Sequence, residues 1–127
     1  MARVQPTENA MNVNAKSNTA EALGTDLRYR TERRGRRDAG VGGAWATGTV
    51  AGHRFQALVF PGHAESAGYE LGGDSRVSKL WVARLADDAV VYNWDRGADV
   101  PPADARAEAV VNFLAARLAA RVFPEAL

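Results

Sequence analysis

The feature that most constrains this chain is a change of hydrophobic period at Pro101-Pro102. Before it, from Ala44 to Trp94, apolar residues recur at every second position in short runs. After it, Ala107, Val110, Val111, Leu114, Leu118 and Val122 recur at helical spacing. A period of two places alternate side chains on opposite faces of a strand, and a period near 3.6 gathers them into a stripe on a helix. The order of the two signals predicts a run of strands and then one helix that packs on them.

Four strands are expected. "AWATGTVA" and "HRFQALVF" form a pair joined around Gly52-His53. In the second run Phe55, Ala57 and Val59 take one face, and Arg54, Gln56 and Leu58 the other. "VSKLWVARLA" is the third strand, with Val77, Lys79, Trp81, Ala83 and Leu85 opposed to Ser78, Leu80, Val82 and Arg84. Asp87-Asp88 turns the chain into "AVVYNW", where Val90, Tyr92 and Trp94 oppose Val91, Asn93 and Asp95. Short connections favour an antiparallel meander. His63 to Arg76 holds Gly68, Gly72 and Gly73 without a regular period and reads as a long loop. Asp104 is placed to cap a helix from about Ala105 to Val122, Arg117 and Arg121 complement its dipole, and Pro124 stops it. The fold class is α+β: a four-stranded antiparallel β-meander packed on one C-terminal α-helix. One helix covers such a sheet only in part, so the opposite face must be polar, paired in a homodimer, or bound to a partner.

Residues 1–40 read as a mobile basic N-terminal arm and 41–127 as a single domain. Few large apolar groups precede Ala44, and the capping signal of Asn18 with Glu21 meets Gly24 within one turn. Residues 1–43 carry eight basic and five acidic groups, and most of the excess lies in "RYRTERRGRR". Without cysteine, disulfides, thiol nucleophiles and cysteine-ligated zinc are excluded. No apolar run approaches the ~20 residues of a membrane span, and the first 20 residues lack a secretory signal's apolar stretch. A cytoplasmic location with no membrane partner is expected.

Three groups of residues invite a chemical reading. "NWDRGAD" could make Asp95 a base, Arg96 an anion clamp and Asp99 its helper, as a small hydrolase needs. The competing reading is a turn, with Arg96 pairing Asp95 or Asp99 and Gly97 at positive φ, closing the last strand and leading through Pro101-Pro102 to the helix. The second reading is preferred, because no other catalytic element converges on the turn. His53 and His63, with Glu65, Glu70 and Asp74, match no compact metal motif and read as solvated loop histidines; no metal or cofactor is implied. The glycines of "GYELGGDSRVSK" lead into a strand rather than a helix N-terminus, which argues against a phosphate loop. The arginines Arg28, Arg30, Arg33, Arg34, Arg36 and Arg37 form a candidate for non-specific nucleic-acid contact, with Tyr29 able to stack. Trp45, Tyr69, Arg76 and Lys79 are candidates for contact with a protein, Trp45 because it shares parity with Thr47 and Thr49.

"W-x-x-G-T-V" from Trp45, "SRVSKLWV" from Ser75 and "NWDRG" from Asn93 give the chain a family resemblance. It resembles a group of small prokaryotic domains of unknown function associated with plasmids, phages and integrated elements, over about Trp45 to Leu118. The resemblance brings no catalytic residues. It implies an accessory protein of a mobile element. The leading expectation is therefore a non-catalytic protein that binds another protein, such as a host defence component, through the uncovered sheet face or edge.

Overall fold

The computed structural model describes residues 19–33, 43–95 and 98–124. Its sheet has five strands of five residues or more and a three-residue sixth: β1 (Arg28–Arg33), β2 (Ala44–Val50), β3 (His53–Val59), β4 (Val77–Arg84), β5 (Val90–Trp94) and β6 (Ala98–Val100). They lie side by side in chain order, every neighbouring pair antiparallel. A short helix, α1 (Ala20–Asp26), precedes the sheet, and α2 (Ala105–Val122) follows it.

The α+β class, the meander and the C-terminal helix agree with the sequence. All six stripe residues of α2 are buried, and Asp104 accepts a hydrogen bond from the Ala107 amide at 2.8 Å, as an N-cap should. The strand count does not agree. Arg28–Arg33, expected within the arm, pairs with β2 from Arg28 opposite Thr49 to Arg33 opposite Ala44. The arm expectation thus fails for Ala20–Arg33, while residues 1–18 and 34–40 lie outside the described residues.

The physical reason lies in two leucines and one glycine. Leu23 and Leu27 enter the same core as α2, so a segment poor in apolar residues still has two well-placed anchors. Gly24, read as a helix stop, is instead a contact point: a Cβ there would meet Arg121 Nη2 at 2.6 Å. The helix therefore runs for two turns, capped by Thr19, whose hydroxyl accepts from the Ala22 amide at 3.1 Å. Phe113, off the expected stripe, is buried because α1 widens the covered strip of α2. At the far end of α1, Asp26 Oδ2 accepts from the Ala51 amide at 2.5 Å and ties the helix to the β2–β3 hairpin.

That hairpin turns on Ala51 and Gly52, both at positive φ (53° and 76°), the two-residue geometry that matches strand twist. His53 is therefore not in the turn. It begins β3, is buried, and its Nδ1 lies 2.8 Å from the Ala51 carbonyl oxygen.

Two bulges correct the expected side-chain parity. The register between β3 and β4 shifts at Leu58/Val59, so Val77 joins Leu80 and Val82 in the core instead of sharing a face with Lys79 and Trp81. Between β4 and β5 the shift at Val82/Ala83 buries Val91 beside Tyr92 and leaves Val90 exposed. "NWDRGAD" also differs from its expected place. Trp94 pairs with Ala98 and Asn93 with Val100, so the segment is the β5–β6 hairpin, and the passage to α2 begins afterwards, at Pro101. Arg96 and Gly97 lie outside the described residues, and Asp99 enters through its backbone in β6.

If α1 and β1 belong to the cooperative fold, Leu23→Ala should lower unfolding free energy by about 2–5 kcal/mol. Urea denaturation followed by far-UV circular dichroism measures this. A midpoint equal to that of the unmutated chain would return α1 to the status of an appended arm.

Candidate functional site

Residues directly opposite on antiparallel strands share a face, and the register sorts the sheet into two surfaces. Ala46, Ala57, Leu80 and Trp94 stand in one cross-strand row, and Gly48, Phe55, Val82 and Tyr92 in another; both lie under the helices. The intervening rows face away. Thr47, Gln56, Trp81 and Asn93 form one, and Trp45, Leu58 and Lys79 form the next. A third row holds Thr49, Arg54 and Ala83. Leu58 and Ala83 are buried yet belong to no part of the helix-side core.

The outward face is an aromatic surface with charges of both signs. Trp45 and Trp81 are each partly exposed. They line one groove with Gln56, Lys79, Asn93 and Asp95, of about 310 Å³. The Arg54 guanidinium sits 4.9 Å from the centre of the Trp81 ring, a cation–π contact, and also pairs with Asp88. Lys79 Nζ lies 3.7 Å from Asp95. Register adds Arg28 and Arg30, opposite Thr49 and Thr47, to this same face. Arg28 also reaches back, its Nη1 donating to the Thr25 and Leu27 carbonyls at 3.0 Å each.

A second cleft, of about 750 Å³, lies against the loop between β3 and β4 and is lined in part by Phe60, His63, Tyr69, Glu70 and Arg76. This long loop, expected to be irregular, contains two short 3-10 turns, Ala67–Tyr69 and Leu71–Gly73. Its organiser is Glu70, whose side chain is 3% exposed. The carboxylate accepts from the Arg76 amide at 2.7 Å, from the Ala64 amide, and from His63 Nδ1 at 2.9 Å. Burial alone would raise the Glu70 pKa, but the His63 hydrogen bond and the two backbone donors together outweigh it and hold it below its ordinary value. Arg76 adopts φ 63° and donates from Nη1 to the Pro61 carbonyl at 2.9 Å.

The structure thus separates residues that the sequence grouped. Trp45 and Lys79 share the open face; Tyr69 and Arg76 line the loop cleft. Asp95 is exposed and near Lys79. Of the six arginines, Arg28 and Arg30 are exposed on β1, Arg33 enters through its backbone, and Arg34, Arg36 and Arg37 lie outside the described residues. His63 is bonded to Glu70 although largely exposed, and buried His53 is far from the solvated role expected of it. Ser75 is buried against its own backbone, its hydroxyl accepting from the Val77 amide at 3.0 Å. Among the described residues no three His, Asp or Glu side chains converge as a metal site, and no helix is long and apolar enough to cross a membrane. The open-face role of Arg54, Gln56 and Asn93 was missed. Parity alone could have placed the first two beside Trp81, once the β3–β4 register was known.

Because its folded pKa is depressed, Glu70 contributes stability that is fully present above the unfolded glutamate pKa of about 4.3 and is lost as pH falls through the folded value. Glu70→Gln should therefore destabilise the protein by about 1–3 kcal/mol at pH 7, and the gap should narrow below about pH 4. Thermal melts of both proteins across pH measure this. A gap that is constant with pH would contradict the charge-assisted clasp.

A family model described as a domain of unknown function (DUF7678) matches residues 44–119. The match starts with β2 and ends within α2, leaving α1 and β1 outside. No curated protein and no solved structure matches the chain. Matched over more than half of its 127 residues, the chain belongs to the DUF7678 family of domains of unknown function.

Proposed function

We propose that this protein is a non-catalytic binding module whose working surface is the open face of its sheet. The observation that carries the reading is one-sided coverage. Both helices pack on one face, and the other presents Trp45 and Trp81 partly exposed among polar and basic neighbours. Indoles are costly to leave wet and are enriched where proteins contact partners.

Several polar groups have structural work. Glu70 holds the loop, Ser75 its own turn, and Asp104 the start of α2. The small-hydrolase reading of Asp95, Arg96 and Asp99 rests on a turn of which Arg96 and the Asp99 side chain lie outside the described residues, and the binding reading is preferred to it. The accessory role in a mobile genetic element, carried by the motif resemblance, forms part of this proposal. So does the view that such a protein acts by occupying a target rather than transforming it. Sequence alone favours a protein target; the arginines of β1 bear on that choice.

Site-specific photo-cross-linking tests the surface whatever the chemistry of the partner. In cells carrying the full chain, Gln56→p-benzoylphenylalanine probes the open face and Asn112→p-benzoylphenylalanine probes the exposed side of α2. Adducts should form from position 56 and be absent from position 112. Adducts from 112 alone, or none from either position, would contradict the reading.

A further inference from the structure

The geometry points to single-stranded nucleic acid as the occupant of the open face, with bases stacking on Trp45 and Trp81 and phosphates pairing with Arg28, Arg30, Arg54 and Lys79. This inference rests on the open-face reading above and names its partner. It differs from the arm-based reading of the sequence, in which a mobile basic tail would contact nucleic acid apart from the fold.

Register carries the argument. Arg30, Thr47, Gln56, Trp81 and Asn93 follow one another across five strands in one outward row. Arg28, Thr49 and Arg54 form a parallel row beside it. Cations and indoles are therefore interleaved on one surface, the composition that binds single strands by backbone pairing and base stacking. Trp45 and Trp81 stand two strands and two residues apart, roughly 12 Å at ordinary sheet spacings. That separation is too wide for both to grip one base and suits two bases of one strand. Gln56 and Asn93 flank Trp81 on the neighbouring strands, where their amides can meet the edges of a base stacked on it.

The face also carries acids, and they set the limits. Asp88 pairs with Arg54, Asp95 lies near Lys79, and Glu32 stands on β1 directly opposite Trp45. Both pairs are solvent-exposed, with side-chain exposures of 42% and 70% for the first and 42% and 49% for the second. Such pairs contribute little to stability. Duplex is a poorer fit, because its bases are stacked on one another and cannot reach the indoles.

Fluorescence anisotropy with a labelled mixed-sequence 12-nucleotide DNA or RNA strand, and with the matching duplex, tests the inference on the full chain. At 50 mM salt the single strand should bind in the micromolar range with quenching of tryptophan emission, and binding should weaken steeply with salt. Arg30→Glu combined with Arg54→Glu should weaken it by about tenfold or more. Trp81→Leu should weaken it and reduce the quench, while Arg117→Glu on α2 should change nothing. Circular dichroism melts check that each variant is folded. Absence of binding, duplex binding as tight as single strand, or equal weakening by Arg117→Glu would overturn the inference. The cross-linking experiment separates the two levels. A position-56 adduct that resists nuclease and yields to protease digestion of the partner would leave the open face standing and refute nucleic acid. Loss of the position-56 adduct would refute both.

Discussion

One-sided burial of the sheet is the constraint on which the rest of the structure depends. The apolar stripe of α2, Leu23 of α1 and Leu27 just after it meet the same surface, built on Phe55, Ala57, Leu80 and Val82. Fully burying a leucine or phenylalanine side chain contributes about 1.5–3 kcal/mol, so both helices are drawn to that surface and neither is available for the other. The outward rows are consequently left to side chains that tolerate water, or that hold apolar bulk until something covers it. Trp45 and Trp81 stand on these rows, each partly exposed.

Local devices then fix where that surface lies. The Ala51-Gly52 turn sets the β2–β3 register, and Asp26 secures the turn from the helix side. Gly48 lets β1 approach closely: a Cβ there would collide with the Arg28 carbonyl oxygen and stand 2.7 Å from Tyr29 Cα. The pairing it permits brings Arg28 and Arg30 beside the tryptophans. Glu70 does comparable work for the long loop, gathering two backbone amides and one histidine into a compact cap between β3 and β4. Its carboxylate is a structural hub, which accounts for a buried acid whose pKa is nonetheless depressed.

Much of this was legible in the sequence, and the failures have physical causes. The α2 limits and the Asp104 cap follow from period and capping chemistry, which are local. The β3 parity of Phe55 against Gln56 likewise survives intact. Val77 and Val91 were misplaced because a bulge inserts one residue without any local composition signal. β1 was missed because its pairing with β2 is long-range and its own residues are charged. An edge strand with a face open to solvent carries arginines readily. Leu23 and Leu27 were the available clue, spaced four residues apart just before that segment. Part of the candidate site was visible as Trp45 and Lys79. Arg54, Gln56 and Asn93 required the register, since they converge on Trp81 only across strands.

The three tryptophans offer the most direct measurement of the central claim, that the open face is the binding surface. Their indole N–H groups report separately in a two-dimensional NMR spectrum of ¹⁵N-labelled protein. On titration with a single-stranded 12-nucleotide oligomer, the Trp45 and Trp81 signals should shift or broaden together, while the backbone amides of α2, on the opposite side of the sheet, should remain in place. Perturbation confined to backbone amides of α2, with both open-face indoles unmoved, would contradict the account.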